Sequence, residues 1–211
     1  RSDKVYVPVP FFHVYGILGI EGAAASNATI VSIEKYTAED SLHLLQDARA
    51  TVYFGVATMY SRELNVNAHE KVDLPWLRIG LVAGAPCPEK VFQAYEDTFN
   101  CVLMQSYGMT ETAATLTITK MSYPDDVRSS CVGNPVNGAE IKLDPTTHEV
   151  LCKTPCLAKG TIRSDGFHAL SLEDGWFRTG DIGNIDFRGH LHIVGRIKEM
   201  IIRGGINIFP A

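Results

Sequence analysis

The 211-residue sequence has no long hydrophobic run, no excess of basic residues and few cysteines. Because a membrane-spanning helix needs about 20 consecutive apolar residues, none is predicted, and no signal peptide is recognisable. The formal net charge of −5 and the pI of about 5.8 argue against electrostatic binding of nucleic acid or of a membrane surface. Neither is therefore expected as a partner.

The five cysteines are odd in number and scattered, which is not the pattern of a disulfide framework. We expect them to act as small, mostly buried hydrophobic residues in a reducing compartment. Cys152 and Cys156 are four residues apart, but no histidine or cysteine pair completes a zinc site. An intracellular, cytoplasmic location is expected. An organellar targeting signal outside this segment stays an open alternative, because the sequence starts at Arg1 rather than at a methionine and we expect both ends to be truncated.

Two patterns divide the chain. In the first half, strand-like apolar runs alternate with helical periodicity, which predicts βαβ units and a parallel sheet. After about residue 126, short β-like pieces are separated by frequent glycines, which is typical of a small antiparallel sheet or barrel. We therefore predict an α/β fold, with a parallel βαβ layer in 1–127, an antiparallel, barrel-like β subdomain in 128–195 and a boundary segment in 196–211.

Small or polar residues follow three of the predicted strands. They are His13, the pair Gly84-Ala85 and the cluster Ser106-Tyr107-Gly108-Met109-Thr110-Glu111-Thr112. Because ligands of parallel sheets bind beyond the carboxyl ends of the strands, one crevice could collect all three. The cluster combines a ring that can stack on a base with a hydroxyl and a carboxylate that suit a phosphate and Mg²⁺. It therefore indicates a nucleotide site.

Further motifs recur in a fixed order around this cluster. They are Phe11-Phe12-His13-Val14-Tyr15-Gly16, Gly84-Ala85-Pro86, Val132-Gly133-Asn134-Pro135, Gly175-Trp176-Phe177-Arg178-Thr179-Gly180-Asp181, Gly195-Arg196-Ile197-Lys198-Glu199-Met200-Ile201 and Gly204-Gly205-Ile206-Asn207-Ile208-Phe209-Pro210. Together the motifs resemble the adenylate-forming (AMP-binding) family of acyl- and aryl-CoA synthetases, luciferases and peptide-synthetase adenylation domains. The resemblance covers nearly the whole chain.

This resemblance implies an acid–thiol ligase. Such enzymes join a carboxylate to ATP, giving an acyl-adenylate and pyrophosphate, and most then pass the acyl group to the thiol of coenzyme A. ATP or AMP, Mg²⁺, coenzyme A and a small carboxylic acid are thus the implied ligands. Two alternatives stay open: an amino-acid-adenylating module of a peptide synthetase, and a non-catalytic nucleotide-binding fragment. The absence of an obvious acidic partner for an α-amine between Pro8 and Gly16 favours a plain carboxylic acid.

The resemblance also implies a role for individual residues. Glu111 is the implied Mg²⁺ ligand, and Thr110 the hydroxyl beside the α-phosphate. Tyr107 is expected to stack on adenine. Around the nucleotide, the resemblance implies Gly84 and Ala85 across the pocket, Asp181 on the ribose hydroxyls and Arg196 at the ribose–phosphate end.

For the acyl substrate, the resemblance implies His13 as a gate near the carboxylate and an acyl pocket lined by Gly16, Ala83, Gly108 and Met109. Lys198 is the implied domain hinge, and Gly204 and Gly205 are expected beside the pantetheine channel.

Some family features do not occur in this sequence. The phosphate-binding loop rich in Ser, Thr and Gly would precede Arg1, and the small C-terminal domain would follow Ala211. We therefore expect the sequence to be the central portion of a synthetase, inactive in adenylation on its own. His148-Glu149-Val150-Leu151 also departs from the usual Gly-Glu-Leu of the family.

Overall fold

The computed structural model describes residues 2–199, 201–203 and 206–208. Its first part contains, in chain order, β1 (Lys4–Tyr6), α1 (Val14–Ala25), β2 (Thr29–Val31), α2 (Ala38–Ala48), β3 (Val52–Gly55), α3 (Ala57–Glu70), β4 (Ile79–Val82), α4 (Glu89–Phe99), β5 (Val102–Tyr107), a 3-10 helix (Thr110–Thr112), β6 (Thr117–Ile118), α5 (Asp125–Ser130) and β7 (Asn134–Pro135). There follow β8 (Glu140–Leu143), β9 (Glu149–Lys153), β10 (Gly160–Arg163), β11 (Gly166–Ala169), β12 (Leu172–Glu173), β13 (Trp176–Ile185), β14 (Leu191–Arg196), a second 3-10 helix (Ile197–Glu199), β15 (Ile201–Arg203) and β16 (Ile206–Ile208).

The first sheet has the order β2-β1-β3-β4-β5-β6-β7. Strands β1 to β5 pair in parallel, and β6 and β7 continue the sheet in antiparallel pairing. The connections between the parallel strands are helices, as the alternating pattern predicts. Strand β1 ends at Tyr6 although its apolar run continues to Pro10, because Pro8 and Pro10 have no N–H for a strand ladder.

Aromatic side chains fill the core on one face of this sheet. Tyr6, Tyr53, Tyr60 and Tyr95 are completely buried and pack with apolar residues of α2, α3 and α4. Consecutive rings in this series have centroids 4.6–5.2 Å apart, within the range for stabilising aromatic pairs. On the opposite face, a smaller apolar cluster joins β1 to Ala23 of α1. Helices therefore cover both faces, as parallel sheets require.

A carboxylate is buried within the aromatic core. Glu63 of α3 is 0% exposed, and its Oε1 accepts hydrogen bonds from the hydroxyls of Ser41 (2.6 Å), Tyr53 (2.8 Å) and Tyr36 (3.2 Å). Its Oε2 accepts from Tyr95 at 3.0 Å. No basic side chain among the described residues pairs with it. Burial raises the pKa of Glu63 to about 7, although the hydroxyl donors oppose this shift.

The second sheet is antiparallel. Its order is β12-β13-β9-β8, and β14 pairs with β13. The predicted α/β fold, a parallel layer followed by a small antiparallel sheet, is confirmed. The hairpin β10–β11 forms a separate two-stranded unit, as does the pair β15–β16.

Arg128 of α5 connects the first sheet to the helices beside it. Its guanidinium donates to the Leu103 carbonyl at 3.0 Å and forms ion pairs with Glu96 at 2.7 Å and Asp125 at 2.9 Å. The side chains of Arg128 and Glu96 are 6% and 9% exposed, so this ion pair is buried.

The cysteines are unpaired. Four of them are buried, as expected for small hydrophobic residues, whereas Cys156 is exposed. Within the described part of the chain, no helix is both long and apolar enough to cross a membrane.

Candidate functional site

The carboxyl edge of the parallel sheet carries the first group of predicted site residues. Gly84 and Ala85 follow β4 and are exposed. His13 is also exposed and occupies the N-cap position of α1. The Tyr15 hydroxyl, two residues further on, donates to the Leu81 carbonyl of β4 at 2.6 Å. This bond ties the start of α1 to the strand that precedes Gly84.

The cluster after β5 forms a loop that folds back on its own strand. Tyr107 is the last residue of β5, and Gly108 follows it. A Cβ atom at Gly108 would lie 1.8 Å from the Ala114 carbonyl oxygen, so only glycine fits there. The Thr112 side chain accepts the Met109 N–H at 3.1 Å and closes the short 3-10 helix. Of the predicted acyl-pocket residues, Gly16 is buried, whereas Ala83, Gly108 and Met109 are half-buried.

Glu111 is anchored through its backbone. Its carbonyl accepts the Ala158 N–H at 2.7 Å, which joins the loop to the segment between β9 and β10. The half-buried Glu111 carboxylate makes no hydrogen bond or ion pair with any other described residue, so its oxygens are available to a cation. The neighbouring Thr110 is exposed. A single free carboxylate beside a hydroxyl fits a Mg²⁺ ion that takes its other ligands from a phosphate and water.

Asp181 lies opposite this loop although it is 74 residues from Tyr107 in the sequence. The Tyr107 hydroxyl donates to Asp181 Oδ2 at 2.7 Å, and Arg196 Nε donates to Asp181 Oδ1 at 2.9 Å. Asp181 is only 3% exposed, whereas the Arg196 side chain is 63% exposed. Burial, together with the negative charge of Asp181, raises the pKa of Tyr107 well above its ordinary value. Each carboxylate oxygen can accept a second hydrogen bond, which leaves capacity for a polyhydroxyl ligand.

A second buried carboxylate supports the Asp181 segment, and sequence reasoning assigned it no role. Glu149 Oε1 accepts the Gly180 N–H at 2.8 Å, and Glu149 Oε2 accepts from Arg178 Nε at 2.8 Å. Hydrogen bonds to Glu173, Glu149 and Asp144 raise the pKa of the Arg178 guanidinium. Backbone N–H groups of the following turn, together with Arg178, lower the pKa of Asp144. The charged Glu149 directly before the apolar run Val150-Leu151-Cys152 was the available signal.

Other predicted positions lie outside this contact group. Lys198 is exposed in the second 3-10 helix, and its side chain forms no ion pair with the described residues. Gly204 and Gly205 lie outside the described residues. A cavity of about 560 Å³ is lined by residues of the 138–175 region, including Lys153 and Lys159, and contains none of the predicted site residues. The predicted site is instead an open edge, where Gly84 and Ala85 face solvent.

A parallel sheet with a polar carboxyl edge, next to the contact of Asp181 with Tyr107 and Arg196, defines an α/β domain of the class that binds ligands beyond the carboxyl ends of its strands. A profile described as "AMP-binding enzyme" matches residues 1–166. The chain therefore belongs to the AMP-binding enzyme family.

Curated relatives are acid–CoA ligases. The chain is 32% identical over 221 residues to the 2-succinylbenzoate–CoA ligase of Bacillus licheniformis, covering 100% of this chain and 45% of the relative. It is 30% identical over 222 residues to the oxalate–CoA ligase of Arabidopsis thaliana, covering 100% of this chain and 43% of that protein. The chain thus spans less than half the length of these relatives.

A solved structure has the same fold. The O-succinylbenzoate coenzyme A synthetase of Bacillus subtilis, determined in complex with ATP and a magnesium ion, superposes with a TM-score of 0.83 at 26% identity. The match covers 99% of this chain and 44% of the synthetase.

Proposed function

We propose that this chain provides the nucleoside-binding and metal-binding part of an ATP-dependent acid–thiol ligase. The proposed reaction has two steps. The substrate carboxylate attacks the α-phosphorus of ATP and releases pyrophosphate, and the thiol of coenzyme A then attacks the acyl carbon and releases AMP. The observation that carries this proposal is the buried Asp181 carboxylate, held between Tyr107 and Arg196.

Asp181 is proposed to accept hydrogen bonds from both ribose hydroxyls. A carboxylate suits two vicinal donors because it has two oxygens and because its charge strengthens each bond. Tyr107 is proposed to present its ring to adenine, with Gly84 and Ala85 across the pocket. Arg196 combines an ion pair to Asp181 with an exposed side chain, so it is proposed to reach the ribose–phosphate end as well.

Glu111 is the proposed Mg²⁺ ligand, and Thr110 is proposed to donate its hydroxyl to the α-phosphate. When bound, the metal offsets negative charge between the carboxylate nucleophile and the phosphate. The backbone bond from Ala158 to Glu111 holds this loop in place before a nucleotide binds. His13 is proposed to act as a gate near the substrate carboxylate, and Lys198 is proposed to act as a hinge. The proposed lining of the acyl pocket consists of Gly16, Ala83, Gly108 and Met109. The pantetheine channel is proposed to be bordered by Gly204 and Gly205.

Calorimetry tests the proposal directly. The folded protein is titrated with AMP and with a non-hydrolysable acyl-adenylate mimic, and we expect both to bind, the mimic more tightly. Binding of AMP without any gain for the mimic would support a nucleotide-binding protein that is not a ligase. Binding of neither ligand by a folded sample would refute the proposal.

A further inference from the structure

The strand pairing next to Asp181 is irregular. Arg178 pairs with Leu151, and the next pair joins Ile182 to Glu149. Between these pairs β13 has three residues, 179–181, where β9 has only residue 150. Such a bulge bends a strand and re-aims its side chains. Here Asp181 is the last residue of the bulge.

Specific hydrogen bonds hold the bulge in shape. The Thr179 hydroxyl donates to the Val150 carbonyl at 2.8 Å and accepts the Asp181 N–H at 3.1 Å. The Gly180 N–H donates to Glu149 Oε1 at 2.8 Å. Gly180 has a φ of +76°, a left-handed conformation that costs energy for other residues. The Glu149 carboxylate therefore satisfies a backbone donor at the most distorted point of the strand.

Glu149 is itself held firmly. Its residue exposure is 4%, and Arg178 contacts its Oε2 through Nε and Nη2. The same guanidinium reaches Asp144 and Glu173, so Glu149 sits inside a network of three carboxylates and one arginine. Glu173 is the outer member, with a side chain that is 68% exposed. It contacts Arg178 but not the bulge, which makes it a matched control for Glu149.

We propose that Glu149 is a positioning residue for the nucleoside site. Through the Gly180 N–H and the Arg178 guanidinium, it holds the bulge in the shape that directs Asp181 toward Tyr107. Glu149 thereby sets the affinity for ribose hydroxyls without touching the nucleotide. This inference rests on the proposed function of Asp181.

The first test compares AMP with 2′,3′-dideoxy-AMP by calorimetry. We expect the wild type to prefer AMP at least about tenfold, because the dideoxy ligand lacks the two hydroxyls that donate to the charged Asp181 carboxylate. Glu149→Ala should reduce this preference to about twofold while leaving the dideoxy affinity nearly unchanged, because the bulge no longer orients Asp181. Glu173→Gln should keep the wild-type preference. An unchanged preference in Glu149→Ala, or an equal loss for both ligands, would overturn the inference.

Glu149→Gln keeps an acceptor oxygen for Gly180 but not the charge facing Arg178. Its preference for AMP should lie between those of the wild type and Glu149→Ala. If the alanine variant does not fold, the comparison of Glu149→Gln with Glu173→Gln decides, and equal preferences in these two would overturn the inference.

Amide hydrogen exchange separates this inference from the proposed function. If the wild type binds neither nucleotide, the proposed function fails, yet the exchange rate of the Gly180 amide still reports on the bulge. We expect that rate to rise at least about tenfold in Glu149→Ala relative to Glu173→Gln, because the hydrogen bond protecting the amide is lost. Equal rates in the two variants would overturn the role assigned to Glu149.

Discussion

Glu63 in the parallel layer and Glu149 in the antiparallel sheet are both buried carboxylates, but their partners differ. Glu63 has four hydroxyl donors, whereas Glu149 has an arginine and a backbone N–H. Neutral donors do not offset the desolvation of a charge, so the pKa of Glu63 rises to about 7. The Glu63 carboxyl can thus bind a proton near neutral pH inside the aromatic core.

The antiparallel sheet pairs its carboxylates with arginine. Glu149 contacts Arg178, and Asp181 contacts Arg196. An arginine stays protonated at any ordinary pH, so each of these two carboxylates has a cation within hydrogen-bond distance. A charged acceptor makes stronger hydrogen bonds than a neutral one, which suits the ligand binding that we propose for Asp181. The two carboxylates of the antiparallel sheet thus differ from Glu63 in having a cationic partner, whether the proposed role is ligand binding, as for Asp181, or positioning, as for Glu149.

The largest effect is expected where a buried arginine is removed. Arg128→Met leaves the Glu96 carboxylate buried without a cation, which should lower the free energy of unfolding by about 3–5 kcal/mol. The exposed pair Arg78–Asp3 supplies the control, and Arg78→Met should cost less than about 1 kcal/mol. Urea denaturation measures both. Equal losses in the two variants would mean that the buried arginine–carboxylate pair stabilises the fold no more than the exposed pair does.

The pH dependence of Glu63 gives the next largest effect. Its raised pKa means that the folded state favours the protonated form, so its contribution to stability is complete below about pH 4.5 and is lost as the pH rises through about 7. The wild type should therefore lose about 3 kcal/mol relative to Glu63→Gln between pH 4.5 and 8. Denaturation at several pH values measures the difference. Parallel stability profiles would show that the carboxyl titrates normally.

Loss of the Asp181 charge should weaken nucleotide binding by a smaller free energy. Asp181→Asn keeps the size of the side chain but replaces one acceptor oxygen by a donor group. Since hydrogen bonds to a charged acceptor contribute about 1.5–3 kcal/mol, the Kd for AMP should rise roughly 10- to 100-fold. Calorimetry with the wild type and the variant measures this change, and a Kd within about twofold would argue against ribose binding by Asp181.

The smallest effect is expected for the Tyr107 hydroxyl. Tyr107→Phe loses the hydrogen bond to Asp181 but keeps the ring, so the free energy of AMP binding should weaken by about 1 kcal/mol. Tyr107→Ala also loses the stacking of the ring on adenine, so its AMP binding should be weaker than that of Tyr107→Phe by roughly a further 1–3 kcal/mol. Equal affinities for the two variants would mean that the ring does not contact adenine.

Local patterns predicted the fold well. Alternating apolar and helical segments indicated the parallel layer, and short β-like pieces separated by glycines indicated the antiparallel sheet. These features depend on neighbouring residues, which a sequence displays directly. The hypothesis that Tyr107 and Asp181 share a site came from the resemblance, and the structure brings the two side chains within hydrogen-bond distance.

Long-range polar contacts were not predictable. Glu63 of α3 draws its donors from α2, α4, β3 and the segment before α2, and no local pattern identifies them. The bulge opposite Glu149 could not be predicted from the sequence either, because a change in strand register depends on how the partner strand pairs. The role of Glu149 therefore becomes visible only when both strands are paired.

The most direct test of the nucleoside site is a nuclear Overhauser measurement on the AMP complex. We expect contacts from the adenine protons to the Tyr107 ring, together with chemical-shift changes of the Asp181 and Gly180 amides on titration. The indole of Trp76, which lines a separate cavity of about 400 Å³, should show neither effect. Adenine contacts to Trp76, with no change at Tyr107 or Asp181, would show that the nucleoside does not bind at Tyr107 and Asp181.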